Sequence, residues 1–186
     1  MTTSPLSPKS TLTLPKSTLV LGGARSGKSH YAEKLVEVYG QGLYLATAEM
    51  NDEDDEMAAR ISRHQERRGK IWQTIEEPVG VTNIINTESR ADRPILVDCL
   101  TLWLSNLMFG NYDLETETVA LTGALRQSNG PVVLVSNEVG LGIVPDNTLA
   151  REFRDCAGRL NQVVAAASDR VIFMAAGLPM IMKDEI

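Results

Sequence analysis

Leu19-Val-Leu-Gly-Gly-Ala-Arg-Ser-Gly-Lys-Ser29 is an apolar run that halts at two glycines and then spells G-x-x-x-x-G-K-S from Gly22 to Ser29. This is a P-loop, and it predicts a strand, a phosphate-cradling turn and a helix. Gly22 and Gly27 serve where the backbone must take angles closed to a Cβ or come close to a phosphate. Gly23, Ala24, Arg25 and Ser26 complete the loop. Its backbone N–H groups, with the N-terminus of the following helix, hold the phosphates. Lys28 neutralises the β- and γ-oxygens, and Ser29 reaches Mg²⁺. Tyr31, Leu35 and Val38 follow at helical spacing, so the context fits the motif. A nucleoside triphosphate is the expected ligand.

Outward from the loop, runs rich in Val, Ile and Leu predict strands over residues 17–21, 42–47, 95–98, 132–136 and 170–175. None alternates cleanly with polar residues, as expected of strands buried on both faces of a parallel sheet. Helical patterns lie over 28–39, 53–65, 100–109, 115–127 and 147–167. The alternation implies a parallel sheet flanked by helices. Ligands of such sheets bind at the carboxyl ends of the strands, where the P-loop, Thr47, Asp98 and Asn137 all fall.

Composition narrows the function classes. The 186-residue chain suits one α/β domain rather than two. Residues 1–16, rich in Ser, Thr, Pro and Lys, read as a flexible tail before a single nucleotide-binding domain over 17–186. A net charge of −6 argues against a nucleic-acid binder, which needs a broad basic surface. No stretch reaches the ~20 apolar residues of a membrane span. Cys99 and Cys156 read as reduced, buried thiols, and with no signal-peptide pattern the expected location is the cytoplasm.

Three constellations carry candidate chemistry. Asp98 ends Ile-Leu-Val, where a P-loop protein places its second acidic Mg²⁺ ligand or water-positioning carboxylate. Capping the helix that begins near Leu100 is the structural alternative for the same residue. The segment from Asn51 to Arg68 begins with five acids and ends with four arginines around His64. Much of this is what a solvated helix wants from its macrodipole. The dipole does not explain Arg60, Arg63, Arg67 and Arg68 around one imidazole, an anion-binding surface in which His64 could attack phosphorus. A lone helical histidine is more often structural, and His30, just after the P-loop, reads as packing locally. The third constellation is Ser136-Asn-Glu138, a polar trio at a strand end before a glycine-containing loop that runs to Pro145. It is placed to meet a ligand or a neighbouring subunit, or to build a turn. Asp146 or Asn147 can cap the following helix, whose polar positions include Arg151, Arg154, Asp155, Arg159 and Asn161.

Together the P-loop, Tyr44-Leu-Ala-Thr47, Asp55-Glu-Met-Ala-Ala-Arg-Ile61 with His64, Val97-Asp-Cys-Leu-Thr-Leu-Trp103 and Ser136-Asn-Glu-Val-Gly-Leu-Gly-Ile-Val-Pro145 resemble one family. It is the bifunctional adenosylcobinamide kinase / adenosylcobinamide-phosphate guanylyltransferase family of cobalamin biosynthesis. The resemblance runs on through Phe153-Arg-Asp-Cys-Ala-Gly-Arg-Leu-Asn-Gln162 to Gly177, covering everything after the tail. It implies a RecA-like P-loop NTPase, a three-layer domain with a mostly parallel sheet. It implies two steps: adenosylcobinamide takes a γ-phosphoryl group from a nucleoside triphosphate, then its phosphate displaces GMP from a histidine guanylylated by GTP. Adenosylcobinamide-GDP and pyrophosphate result. The implied cofactors are GTP, ATP and Mg²⁺, and the implied assembly is a homotrimer, for which the apolar stretch Leu102 to Phe109 offers surface that core packing would explain equally well.

Carried over by motif, His64 matches the guanylylated histidine, and Lys28 and Asp98 join it as catalytic residues. Thr47, Ala48 and Glu49, then Arg67, Arg68 and Gly69, fall where the family contacts GTP, and Thr101 lies beside the acid. Ser29 and Asp98 are the implied metal ligands. The rival readings are a plain P-loop kinase of another small alcohol, with a structural His64, and a nucleotide-driven switch. The His64 cluster and the absence of an appended interaction domain speak against the switch.

Overall fold

The computed structural model of the protein describes residues 14–48 and 69–185. The tail through residue 13, the expected helix over 53–65, and with them Glu49, Arg60, Arg63, His64, Arg67 and Arg68, lie outside the described residues.

Seven strands form one sheet: β1 (Ser17–Gly22), β2 (Gly42–Ala46), β3 (Trp72–Glu76), β4 (Ile95–Asp98), β5 (Val132–Asn137), β6 (Arg170–Ala175) and β7 (Leu178–Asp184). Their spatial order is β3-β2-β4-β5-β1-β6-β7. All neighbouring pairs are parallel except β6 with β7. The described helices are α1 (Lys28–Glu37), α2 (Val81–Glu88), α3 (Leu100–Phe109), α4 (Leu114–Gln127) and α5 (Thr148–Ala167).

Successive strand residues point to opposite faces, and the two cores follow that period. Leu19, Leu21, Leu43, Leu45, Ile95, Val97, Val132 and Leu134 pack with residues of α2, α3, α4 and α5. The alternate residues Val20, Tyr44, Leu96, Val133, Val135 and Ile172 pack with Ala32 and Val36 of α1. Burial on both faces is why the central strands carry continuous apolar runs. Each fully buried Leu, Val or Ile contributes about 1.5–3 kcal/mol. The result is the three-layer, mostly parallel architecture expected from the alternation of elements.

Three elements went unanticipated, β3, α2 and β7, while the five expected strands and four of the five expected helices are present among the described residues with ends that agree to within two residues. The strand expected over 42–47 closes at Ala46, and the helix expected over 28–39 closes at Glu37. Asn147 caps α5, its side chain accepting from Ala150 N–H at 2.7 Å. At the other end of α5, Lys183 of β7 donates to the carbonyls of Ser168 at 2.7 Å and Ala166 at 3.1 Å. These are helix-end acceptors that a cation suits. Of the apolar stretch in α3, Trp103, Leu104 and Leu107 belong to the core, whereas Phe109 is 73% exposed. Cys99 and Cys156 are both buried free thiols.

Candidate active site

The loop between β1 and α1 is shaped for an anion. A Cβ on Gly22 would sit 2.5 Å from Ser26 Oγ and 2.7 Å from the Met174 carbonyl, so only glycine fits there. Gly27 has φ 93° and Arg25 φ 56°, left-handed values that wrap the chain around the cradle. Within it, the Ser26 hydroxyl is buried and has no hydrogen-bond partner among the described residues, an orphan that a phosphate oxygen would satisfy. Gly27 is the N-cap of helix α1, which has no side-chain cap and no acidic residue in its first turn. Its N-terminus is therefore left for a negative ligand. Lys28 Nζ donates to Gly23 O at 3.2 Å, folded over its own loop. Ala24 and Arg25 are exposed and Ser29 is half-buried beside Lys28.

Two contacts brace the loop from outside. Gly22 O accepts from Glu138 N at 3.0 Å, and Ser26 O accepts from Gly177 N at 3.0 Å. The first ties the loop to the end of β5, the second to the turn between β6 and β7.

Asp98 ends β4, one strand removed from the P-loop strand, with β5 between them. Leu96 packs on the α1 side of the sheet, so Asp98, two residues on, faces the same side as the loop helix. Its Oδ2 accepts from Tyr44 Oη at 2.6 Å. The helix-capping alternative for Asp98 does not hold: the N-cap position of α3 is Cys99, and no side chain caps it. The Asp98–Cys99 peptide bond is cis.

Thr47 is fully buried, and its hydroxyl both accepts from Cys99 N and donates to Cys99 O, each at 2.8 Å. It staples the end of β2 to the end of β4. Ala48 is half-buried next to it, and Gly69 is exposed before β3. Thr101 is likewise buried, its hydroxyl accepting from Asn137 N at 2.8 Å and lying 3.5 Å from Ser136 Oγ. Ser136 in turn donates to Asn161 Oδ1 at 2.7 Å, and Asn161 Nδ2 donates to Asn137 O at 3.3 Å. This chain fastens the starts of α3 and the middle of α5 to the strand end beside the loop.

The structure thus brings together Gly22 to Ser29, Thr47, Ala48, Asp98 and Thr101 at the carboxyl edge of the sheet. The three arginines of α5 serve elsewhere: Arg151 clamps the carbonyls of Pro145 and Asp146, Arg154 pairs with Asp155, and Arg159 donates to Cys156 Sγ at 3.1 Å. His30 Nδ1 lies 3.9 Å from Glu33 on its own helix, the local packing expected for it. Tyr44 and Asn106 were not anticipated. Asn106 Nδ2 donates to Thr47 O at 2.8 Å and Pro78 O at 2.9 Å, anchoring the loops that follow β2 and β3. The signal for Tyr44 was its place in the buried strand, two residues before its carboxyl end on the Asp98 face.

Burial, with the Asp98 charge adding to it, pushes the Cys99 thiol up to about 11. The group beside the acid is therefore a neutral thiol at ordinary pH.

Comparison with known proteins agrees with this geometry. The sequence profile of the cobinamide kinase / cobinamide phosphate guanyltransferase family matches residues 18–182. The bifunctional adenosylcobalamin biosynthesis protein CobP of Pseudomonas aeruginosa is 46% identical, covering 90% of this chain and 97% of its own. The CobU protein of Salmonella typhimurium, which bears the same bifunctional description, is 42% identical, covering 89% and 98%. A solved protein of Pyrococcus horikoshii OT3 shares the fold with a TM-score of 0.53 at 10% identity, over 90% of this chain and 86% of that one. With residues 18–182 matched by the family profile and nearly the whole length shared with these relatives, this chain belongs to the cobinamide kinase / cobinamide phosphate guanyltransferase family.

Proposed function

We propose that the protein phosphorylates adenosylcobinamide with a nucleoside triphosphate and then transfers GMP from GTP to the product through His64, giving adenosylcobinamide-GDP and pyrophosphate. The single observation that carries the nucleotide half of this reading is the loop itself, where a Cβ-excluding glycine, an orphan buried hydroxyl and an uncapped helix start converge. In the kinase step the acceptor hydroxyl oxygen bonds to the γ-phosphorus, the bond to the β-phosphate oxygen breaks, and the hydroxyl proton goes to solvent. Either ATP or GTP can serve as that donor; the second step needs GTP. Lys28 and the loop N–H groups hold the phosphates, work that positioning and electrostatics alone can do. Ser29 and Asp98 are the residues that would hold Mg²⁺, which would supply charge neutralisation on the phosphate oxygens.

In the second step the His64 imidazole attacks the α-phosphorus of GTP and pyrophosphate leaves. An oxygen of the corrinoid phosphate then attacks the same phosphorus of the phosphoramidate and the P–N bond to His64 breaks, releasing the imidazole and splitting one difficult transfer into two. Arg67, Arg68 and Gly69, with Glu49, Thr47, Ala48 and Thr101, are the proposed GTP contacts around it. Arg60 and Arg63 add positive charge near the same imidazole.

The test is incubation with Mg²⁺ and GTP labelled at the α-phosphorus, followed by denaturing electrophoresis, with His64→Ala alongside. Acid-labile, base-stable label on the wild type and none on the variant is expected. A wild type that transfers the γ-phosphoryl group yet takes up no label would leave a P-loop kinase with no guanylylation step.

A further inference from the structure

We propose that the side-chain amide of Asn137 contacts the γ-phosphoryl group during the kinase step, Nδ2 donating to one of its oxygens. The inference rests on the kinase reading above and adds a residue to it.

The polar trio at the end of β5 is divided by the structure. Ser136 is 2% exposed and its hydroxyl is engaged with Asn161 at 2.7 Å. Glu138 Oε1 accepts from Gly140 N at 2.6 Å, shaping the loop that follows. Asn137 differs: its main chain is fixed on both sides, N–H to Thr101 Oγ1 at 2.8 Å and carbonyl to Asn161 Nδ2 at 3.3 Å. Its side-chain amide is half-buried and has no hydrogen-bond partner among the described residues. The amide is not among the buried unpartnered atoms, so it reaches solvent and is open to a ligand at the strand end.

Strand period and register say where that amide points. Val133 and Val135 pack on the α1 side of the sheet, so Asn137 faces that side as well. Its register partner on β1 is Gly22, the first residue of the loop, while Asp98 on the other neighbour pairs with Val135. Asn137 therefore stands between the phosphate loop and the acid, one pleat nearer the open edge than Asp98. A triphosphate whose β-phosphate lies in the loop extends its terminal group into that interval. An amide there donates one hydrogen bond to the equatorial oxygens, where charge spreads during transfer.

The experiment compares wild type, Asn137→Ala and Asn137→Asp. Calorimetry measures binding of a non-hydrolysable triphosphate and of the matching diphosphate, and a steady-state assay measures adenosylcobinamide phosphorylation. The expected result is a kinase kcat lower by about 100-fold in Asn137→Ala. The triphosphate should lose affinity in both variants, more in Asn137→Asp because its carboxylate repels the γ-phosphate, with diphosphate affinity within 2-fold of wild type. Equal losses for both nucleotides, or wild-type values for both, would overturn the proposal and leave Asn137 as a structural residue. If wild type itself fails to phosphorylate adenosylcobinamide, the functional reading falls, while the triphosphate-to-diphosphate ratio still decides whether the amide meets the terminal phosphate.

Discussion

At the residue scale, the carboxylate that ends β4 depends on a phenol two strand positions before the end of β2. The 2.6 Å bond from Tyr44 to Asp98 fixes one carboxylate oxygen and so orients the other. Tyr44→Phe keeps the ring and removes the hydroxyl that makes that bond, so kinase kcat is expected to fall about 10-fold, as supporting partners of metal-binding carboxylates commonly cost. A Mg²⁺ titration of the rate checks it: the variant should need more metal to saturate. The neighbouring thiol makes a second prediction. Cys99 is raised to about 11 from an ordinary 9.0, so below pH 9 both folded and unfolded chains hold it neutral and its contribution is fully present. Between pH 9 and 11 the unfolded chain ionises first, and stability falls. Urea unfolding across that range should show a slope that flattens in Cys99→Ala. Of these residues, Asp98 was legible because an acid after an apolar run at a strand end has a mechanical reason to be there. Tyr44 was not, since a tyrosine inside a buried strand reads as core until its partner is known.

At the element scale, the parallel centre of the sheet was legible and its edges were not. Central strands bury both faces, and the sequence records that as unbroken Val, Ile and Leu. β3 reads Trp-Gln-Thr-Ile-Glu with exposed Gln73, Thr74 and Glu76, an edge strand with too few apolar positions to stand out. β7 carries Pro179 and lies almost wholly exposed at the opposite edge, where proline is tolerated. Helix α2 is eight residues long and lacks a side-chain cap, so neither length nor a start signal marks it. The His64 segment, read from the sequence as candidate chemistry, lies outside the described residues. The P-loop offers the element-scale prediction. Gly22→Ala forces Cβ against Ser26 and the Met174 carbonyl. The strand end or the loop must move, at a cost of about 1–3 kcal/mol. Thermal unfolding should show the loss, and nucleotide binding should drop even at temperatures where the variant remains folded.

At the scale of the whole molecule, the sheet presents apolar side chains beyond what its own helices cover. Leu178, Met180, Ile181 and Met182 on β7, Phe109 at the end of α3, and Leu141 and Ile143 in the loop after β5 are all exposed. Patches of this kind mark interaction surfaces. The trimer implied by family resemblance makes its own prediction: light scattering coupled to size exclusion should give three times the 20.3 kDa chain mass. A mass equal to one chain would reject it. Among the described residues no helix is long and apolar enough to cross a membrane.

The turn joining β6 to β7 has a quieter consequence. Ala176 and Gly177 take φ of 51° and 79°, the left-handed pair that closes a tight hairpin, and the Gly177 amide ends on the Ser26 carbonyl. One proton therefore sits on the boundary between the sheet's far edge and the phosphate cradle. Its exchange with deuterated solvent becomes a built-in gauge of occupancy. Each opening of the cradle unlocks it, and each nucleotide that stiffens the cradle slows its clock.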